Sequence, residues 1–135
     1  RAGTKPILLA CKSIGTTAMA HALKQVPDLA KWPVAWMTPL WKDDAVFAAI
    51  AAGGAKALVV IGTADSQWDA SLADKLAKKK VDVLVVEGAD HGMLVAGDTA
   101  ASEKALADIL AYLQTLTTPP KDGVTVKPKK ANEYE

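Results

Sequence analysis

The sequence predicts an α/β protein whose mostly parallel sheet of four strands carries helices on both faces. Three observations lead to this fold class. Short apolar runs alternate along the chain with longer segments that place apolar residues at helical spacing. Glycine, proline or serine marks most of the boundaries between them. Strands that alternate with helices pair in parallel through right-handed crossovers.

The first strand and helix meet at a sharp turn. Residues 7–10 form a continuous apolar run, which predicts a strand covered on both faces. A helix is predicted over about residues 13–25, with Ser13 at the tip of the turn. Such a turn can lift a serine hydroxyl above the sheet, beside the first N–H groups of the helix. Taken alone, the sequence Ser13-Ile14-Gly15 is more typical of a helix N-cap.

The remaining elements follow in order. Strands are predicted at residues 33–38, 57–61 and 81–86. A helix that begins at Asp43 or Asp44 is predicted to end at glycines 53 and 54. Two further helices are predicted at about residues 69–79 and 100–116. Their predicted core residues are Leu72, Leu76 and Ala77 in the former, and Leu106, Ile109, Leu110 and Leu113 in the latter.

Length and composition favour one domain followed by a tail. Of the 135 residues 50% are hydrophobic, which is ordinary for a soluble globular domain. We expect an α/β domain over residues 1–116. Residues 117–135, rich in proline and lysine, are predicted to form a tail with at most one short strand at residues 124–126.

Charge and motif content exclude several functions. Sixteen basic and fifteen acidic side chains leave a net charge of +1, so nucleic acid and acidic membranes are not expected partners. No apolar run has the length of a membrane span, and no signal peptide opens the chain. With Arg1 first, the chain looks processed or truncated, and we expect it in the cytoplasm. The sequence has no phosphate loop, metal-ligand cluster or dinucleotide fingerprint, so no cofactor or metal is expected.

Three polar residues follow three different strands. In parallel sheets, functional residues collect in the loops beyond the carboxyl ends of the strands. Ser13 follows the first strand, Asp65 the third and His91 the fourth. A serine, a histidine that takes its proton and a carboxylate that orients the histidine are the parts of a hydrolytic triad. Two alternatives remain at this stage: Asp65 could be a helix cap, and Asp90 could compete with it as the partner of His91.

Other side chains could contribute to a site. Lys12 precedes the candidate nucleophile and could point into the cleft. Trp41 and Trp68 follow strand ends and could line an acyl pocket, although plain packing is the more usual role of such residues. Trp36 is predicted to lie in the core. His21 falls within the first helix, where we expect it at the surface.

Three segments of the chain, residues 9–18, 59–68 and 85–93, resemble the C-terminal half of an α/β-hydrolase. The elbow Lys12-Ser13-Ile14-Gly15-Thr16 is similar to that of a group of small bacterial hydrolases with K-S-[IL]-G-T at this place. That group also tends to carry an aromatic-T-P-L segment, matched here by residues 36–40. The resemblance implies that Ser13 is the nucleophile, His91 the general base and Asp65 its orienting partner. It also implies that the N–H of Ile14 contributes to the oxyanion hole.

The chain departs from the superfamily at two points. Cys11 stands where most members have glycine. The strands that usually precede the serine-bearing strand are absent, and with them the usual second oxyanion donor. The first strand would then be an exposed apolar edge, which proteins avoid. We therefore expect a second chain or a symmetry copy to cover it, for example an N-terminal fragment separated by cleavage.

The sequence thus predicts a serine hydrolase that cleaves a small ester or thioester through an acyl-enzyme, provided that the missing half is supplied. One alternative is a non-catalytic, hydrolase-like binding or assembly module. Another is one chain of a two-chain enzyme. A third keeps the triad but transfers the acyl group to an acceptor other than water.

Overall fold

The computed structural model describes residues 8–117. They form four strands and four α-helices in alternation. The elements are β1 (Leu9–Lys12), α1 (Ile14–Gln25), β2 (Val34–Met37), α2 (Asp44–Gly53), β3 (Ala57–Gly62), α3 (Ala70–Lys78), β4 (Asp82–Val86) and α4 (Thr99–Thr117). Short 3₁₀ turns at Pro27–Lys31 and Gly54–Lys56 precede β2 and β3. The predicted tail lies outside the described residues except for Thr117, which ends α4.

All four strands are parallel and lie in the sheet in their order along the chain, β1-β2-β3-β4. Each strand therefore neighbours the next one in sequence. The carboxyl ends of the strands share one edge, where the loops after β1, β3 and β4 meet. This confirms the predicted fold class.

Alternate side chains of the strands serve two separate cores. Helices α1, α2 and α3 cover one face of the sheet, where Trp36, Val59 and Val85 are buried beneath them. Helix α4 packs on the other face, over Leu58 and Val60 among others. Helices thus lie on both faces, as predicted.

Aspartates fix the starts of two helices. Asp43 accepts hydrogen bonds from the N–H groups of Ala45 and Val46, at 2.9 and 3.1 Å, and so caps α2. Asp69 caps α3 in the same way through Ser71 and other first-turn groups. These hydrogen bonds, the one from the Ser71 hydroxyl above all, hold the pKa of Asp69 below its ordinary value. The cap of α3 is therefore Asp69, which leaves Asp65 available for another role.

The first strand differs from its prediction. Of the predicted residues 7–10, residue 7 lies outside the described part of the chain; the strand begins at Leu9 and continues through Lys12. Only alternate residues are half-buried, whereas Ala10 and Lys12 are exposed. Among the described residues β1 pairs with β2 alone, so it lies at the edge of the described sheet. The exposure of Ala10 and Lys12 shows that it is not covered on both faces.

In two helices the predicted core residues are only partly right, although Leu76 and Ile109 are buried as predicted. In α3, Ala73 is buried and Ala77 is exposed. In α4, Leu106 and Leu110 are 56% and 52% exposed, and the buried side chains are Ala105, Ile109 and Tyr112. The hydroxyl of Tyr112 donates a hydrogen bond to Asp82 at 2.8 Å, which fixes the side of α4 that meets the sheet. Burial, more than this hydrogen bond, raises the pKa of Tyr112.

Candidate active site

Ser13 occupies a strained turn between β1 and α1. Its backbone has φ 50° and ψ −121°, a conformation that residues other than glycine rarely adopt. Its side chain makes no capping hydrogen bond to the helix. Instead, its Oγ lies 2.7 Å from Nε2 of His91. Ser13 is therefore not an ordinary N-cap, because its hydroxyl points towards another loop.

His91 lies in the loop that follows β4. Asp90 shapes this loop, since its carboxylate accepts hydrogen bonds from the N–H groups of Gly92 and Leu94, at 2.8 and 3.0 Å. The side chain of His91 is 39% exposed, so the imidazole borders solvent. Asp90 is bound within its own loop and is not the partner of the imidazole.

Asp65 is that partner. Its Oδ2 lies 2.8 Å from Nδ1 of His91, and its Oδ1 accepts a hydrogen bond from the N–H of Gln67 at 2.8 Å. The carboxylate is fully buried, with 0% of its side chain exposed. An ionised carboxylate can only accept, so with Asp65 ionised the imidazole proton belongs on Nδ1 of His91, and Nε2 can accept a proton from Ser13. This arrangement can remove a proton from the serine hydroxyl.

The remaining candidate residues lie around Ser13, His91 and Asp65. Lys12 is exposed, and its Nζ donates to the carbonyl oxygen of His91 at 3.4 Å. Trp41 is buried against the ring of Trp68, with centroids 6.3 Å apart, and its indole N–H donates to the carbonyl of Gln67. It thereby supports the loop that carries Asp65. Whether these three side chains, Lys12, Trp41 and Trp68, contact a substrate stays a prediction.

Two further candidates can be placed. Ile14 is the first residue of α1, so its N–H belongs to the unpaired helix start beside Ser13, and its side chain is 74% exposed. His21 is exposed on α1, as expected. It borders a groove of about 850 Å³ between α1 and α2, whose lining also includes Trp36 and Val46. Ser13, Asp65 and His91 do not line this groove.

Cys11 fits the position that usually belongs to glycine. Its Sγ lies 3.6 Å from the carbonyl oxygen of Ala35, in the neighbouring strand. Burial raises the pKa of the thiol to about 12, so the group is neutral at physiological pH. A methyl group built on Gly15 would still lie 4.0 Å from Cβ of Cys11, which is ordinary contact. The elbow therefore accommodates the cysteine without crowding.

Sequence reasoning assigned no role to two buried threonines. Thr16 binds the carbonyl oxygen of Ser13, and Thr38 has φ 41° at the end of β2. Both are completely buried. Their places in the elbow, residues 12–16, and in the matching segment 36–40 were the available signal. The sequence of these two segments does not reveal the strain at Thr38 or the burial of the two threonines.

Within residues 8–117, no helix has the length and apolar character needed to cross a membrane. Over the same residues, no group of three or more histidine, cysteine, aspartate or glutamate side chains is placed to hold a metal ion.

Comparisons with known proteins bear on the family and the fold. The profile of the family described as TAP-like protein, a family of α/β-hydrolases, matches residues 14–125. The fold is similar to the crystal structure of a predicted CIB-like hydrolase from Thermoplasma acidophilum, with a TM-score of 0.57 and 18% sequence identity. The similarity covers 80% of this chain and 50% of that one, so the chain spans about half the length of this relative. None of the curated proteins matches.

Proposed function

The chain belongs to the TAP-like family of α/β-hydrolases, and from this premise we propose that it is a serine hydrolase of small carboxylic esters or thioesters. The observation that carries the proposal is the unbroken row of Ser13, His91 and Asp65, joined by contacts of 2.7 and 2.8 Å. A buried carboxylate behind a half-exposed imidazole is the arrangement that makes a serine hydroxyl nucleophilic.

The proposed reaction has two halves. Oγ of Ser13 attacks the acyl carbon while its proton passes to Nε2 of His91. The tetrahedral intermediate collapses, the alcohol or thiol leaves with the proton held by His91, and the acyl group stays on Ser13. Water then attacks the acyl-enzyme, with His91 again as base, and releases the acid. Asp65 stays ionised and stabilises the imidazolium formed in each half.

The oxyanion of the intermediate requires backbone donors. The N–H of Ile14, at the amino terminus of α1, would be one of them. A second donor is expected from a loop that precedes the serine-bearing strand, as in other α/β-hydrolases. Loss of one such donor typically lowers the rate by about 10²–10³.

A second chain, or a symmetry copy, would complete the site by covering β1. Two observations support this part of the proposal. Among the described residues β1 pairs with β2 alone, and the similarity to the solved relative covers only 50% of that chain. An uncovered strand edge offers a row of backbone groups for pairing.

Labelling with a fluorophosphonate probe tests the proposal, because the probe phosphonylates only an activated serine. We expect one label per full chain, on Ser13, lost in Ser13→Ala and His91→Ala but kept in His21→Ala, the matched exposed histidine. Peptide mass spectrometry identifies the site. If the full chain, alone and with any co-purifying chain, is never labelled, the triad is inactive and the non-catalytic module becomes the better explanation.

Matched substrates then define the reaction. We expect hydrolysis of short p-nitrophenyl esters and slower turnover of the corresponding anilides. A preference for the anilides would contradict the ester assignment. Transfer of the acyl group to an added amine or alcohol in place of water would identify an acyltransferase.

A further inference from the structure

One threonine hydroxyl joins the serine turn to the segment after β2. Oγ1 of Thr16 donates a hydrogen bond to the carbonyl oxygen of Ser13 at 2.6 Å. Oγ1 of Thr16 also accepts a hydrogen bond from the N–H of Leu40 at 3.2 Å. Because Thr16 is completely buried, water does not compete for these contacts. The hydroxyl therefore links the carbonyl group of Ser13 to Leu40.

The N–H group of Ser13 is held by the same segment. It donates to the carbonyl oxygen of Met37 at 3.1 Å. Both backbone polar groups of Ser13 are thus tied to the chain around the end of β2, one directly and one through Thr16. A strained backbone conformation such as that of Ser13 persists only where several surrounding contacts hold it in place. These contacts provide such surroundings.

Thr38 lies between the two attachment points, Met37 and Leu40. Its φ of 41° is unusual for a β-branched residue, and its own N–H is fixed to the carbonyl of Val60 at 2.7 Å. The sharp turn at Thr38 brings the chain from Met37 to Leu40 while both remain bonded to the elbow. Two strained residues, Ser13 and Thr38, therefore end neighbouring strands and support each other.

We propose that Thr16 and the turn at Thr38 form a brace that holds Ser13 in its reactive conformation. Both would be positioning residues, since they act through the backbone of Ser13 and not on the substrate. The proposal rests on the proposed function, in which Ser13 is the nucleophile. It also gives a physical reason why the K-S-I-G-T and T-P-L segments occur in one chain, because the threonine that ends the former binds the leucine that ends the latter.

The decisive variant is Thr16→Val, which keeps the shape of the side chain and removes both hydrogen bonds. Thr17→Val is the matched control, since Thr17 is the next residue of α1 and is exposed. Thr16→Ser should restore the function because it keeps the hydroxyl. Two quantities are measured on the full chain: the rate constant of phosphonylation at Ser13, and the amide hydrogen exchange rates of Ser13 and Leu40.

We expect Thr16→Val to lower the phosphonylation rate by about 10²-fold, the usual effect of a small misplacement of a reacting group. Exchange at the Leu40 amide should accelerate by about tenfold, because this amide loses its acceptor. Exchange at the Ser13 amide, which still donates to Met37, should accelerate less, through loosening of the turn. Thr17→Val should leave both quantities unchanged, and Thr16→Ser should return them to within a few-fold of wild type. Phosphonylation and exchange at wild-type rates in Thr16→Val would overturn the brace, whatever happens to the melting temperature.

Failure of the brace and failure of the proposed function give different results. If wild-type protein is not labelled at all, the proposed function is at fault, and amide exchange alone decides whether the brace exists. If Thr16→Val does not fold, Thr16→Ala replaces it, because alanine also removes both hydrogen bonds of the hydroxyl and is favoured in a helix. Slower labelling at Ser13 and faster exchange at Leu40 in Thr16→Ala would support the brace, and wild-type values would overturn it.

Discussion

The carbonyl oxygen of Ala89 occupies the space that a side chain on Gly62 would need. A Cβ atom built on Gly62 would lie 1.9 Å from that oxygen and 2.5 Å from the carbonyl carbon. The N–H of Ala64 donates to the same oxygen at 3.0 Å. The loops that carry Asp65 and His91 are therefore held together by direct backbone contact at this glycine.

Replacing Gly62 should separate these loops. We expect Gly62→Ala to lower the free energy of unfolding by about 1–3 kcal/mol, because rigid backbone must move to admit the methyl group. Urea denaturation measures the change. Gly15→Ala is the control: its Cβ has room, and alanine is favoured in a helix by up to about 1 kcal/mol. A Gly62→Ala protein as stable as wild type would show that the contact is not restrictive.

Replacing Asp65 should cost activity far more than stability. In Asp65→Asn the amide can donate to Nδ1 of His91, which places the imidazole proton on Nε2 and stops it from accepting one from Ser13. We expect kcat for ester hydrolysis to fall by about 10⁴-fold. Asp90→Asn should stay within a few-fold of wild type, because Asp90 binds only its own loop. An Asp65→Asn rate within tenfold of wild type would exclude the orienting role.

The hydroxyl of Thr38 suggests a stability gain. Its Oγ1 is buried and has no hydrogen-bond partner among the described residues. Thr38→Val removes this group at nearly constant shape, so the free energy of unfolding should rise by about 1 kcal/mol. Calorimetry would then show a melting temperature a few degrees higher. A lower melting temperature would mean that the hydroxyl binds a buried water molecule.

Cys11 should be unreactive in the folded protein. Its raised pKa, about 12, keeps the thiol protonated at pH 8, and the thiolate is the reactive form. We expect slow alkylation by iodoacetamide in the native state and rapid alkylation in urea, where the pKa returns to its ordinary value. Fast alkylation of the folded chain at pH 8 would contradict this assignment.

Much of the fold could be predicted because the apolar runs were unambiguous. The runs that became β3 and β4 are fully apolar over most of their length and stop at glycine or at a charged residue. Once the strands are parallel, topology brings the loops of Ser13, Asp65 and His91 to one edge. The sequence could therefore indicate which loops meet, although catalysis by these residues remains a proposal.

Other features depend on tertiary contacts that the sequence does not display. Helix α4 carries apolar residues on more than one side, so its periodicity could not select Ile109 and Tyr112 over Leu106 and Leu110. The strain at Thr38 arises from hydrogen bonds to other strands. Its neighbours in sequence carry no sign of it.

The order of the strands also affects how the chain folds. Each described strand pairs with the next one in sequence. These four strands can therefore assemble one helix-strand unit at a time, and no pairing has to join segments that are distant in sequence. The hydrogen bond between Ser13 and His91, in contrast, joins residues 78 positions apart. It can form only after the fourth strand has docked. If Ser13 is the nucleophile, as proposed, its reactivity would report the docking of β4, and a nascent chain released before β4 would not react with the probe.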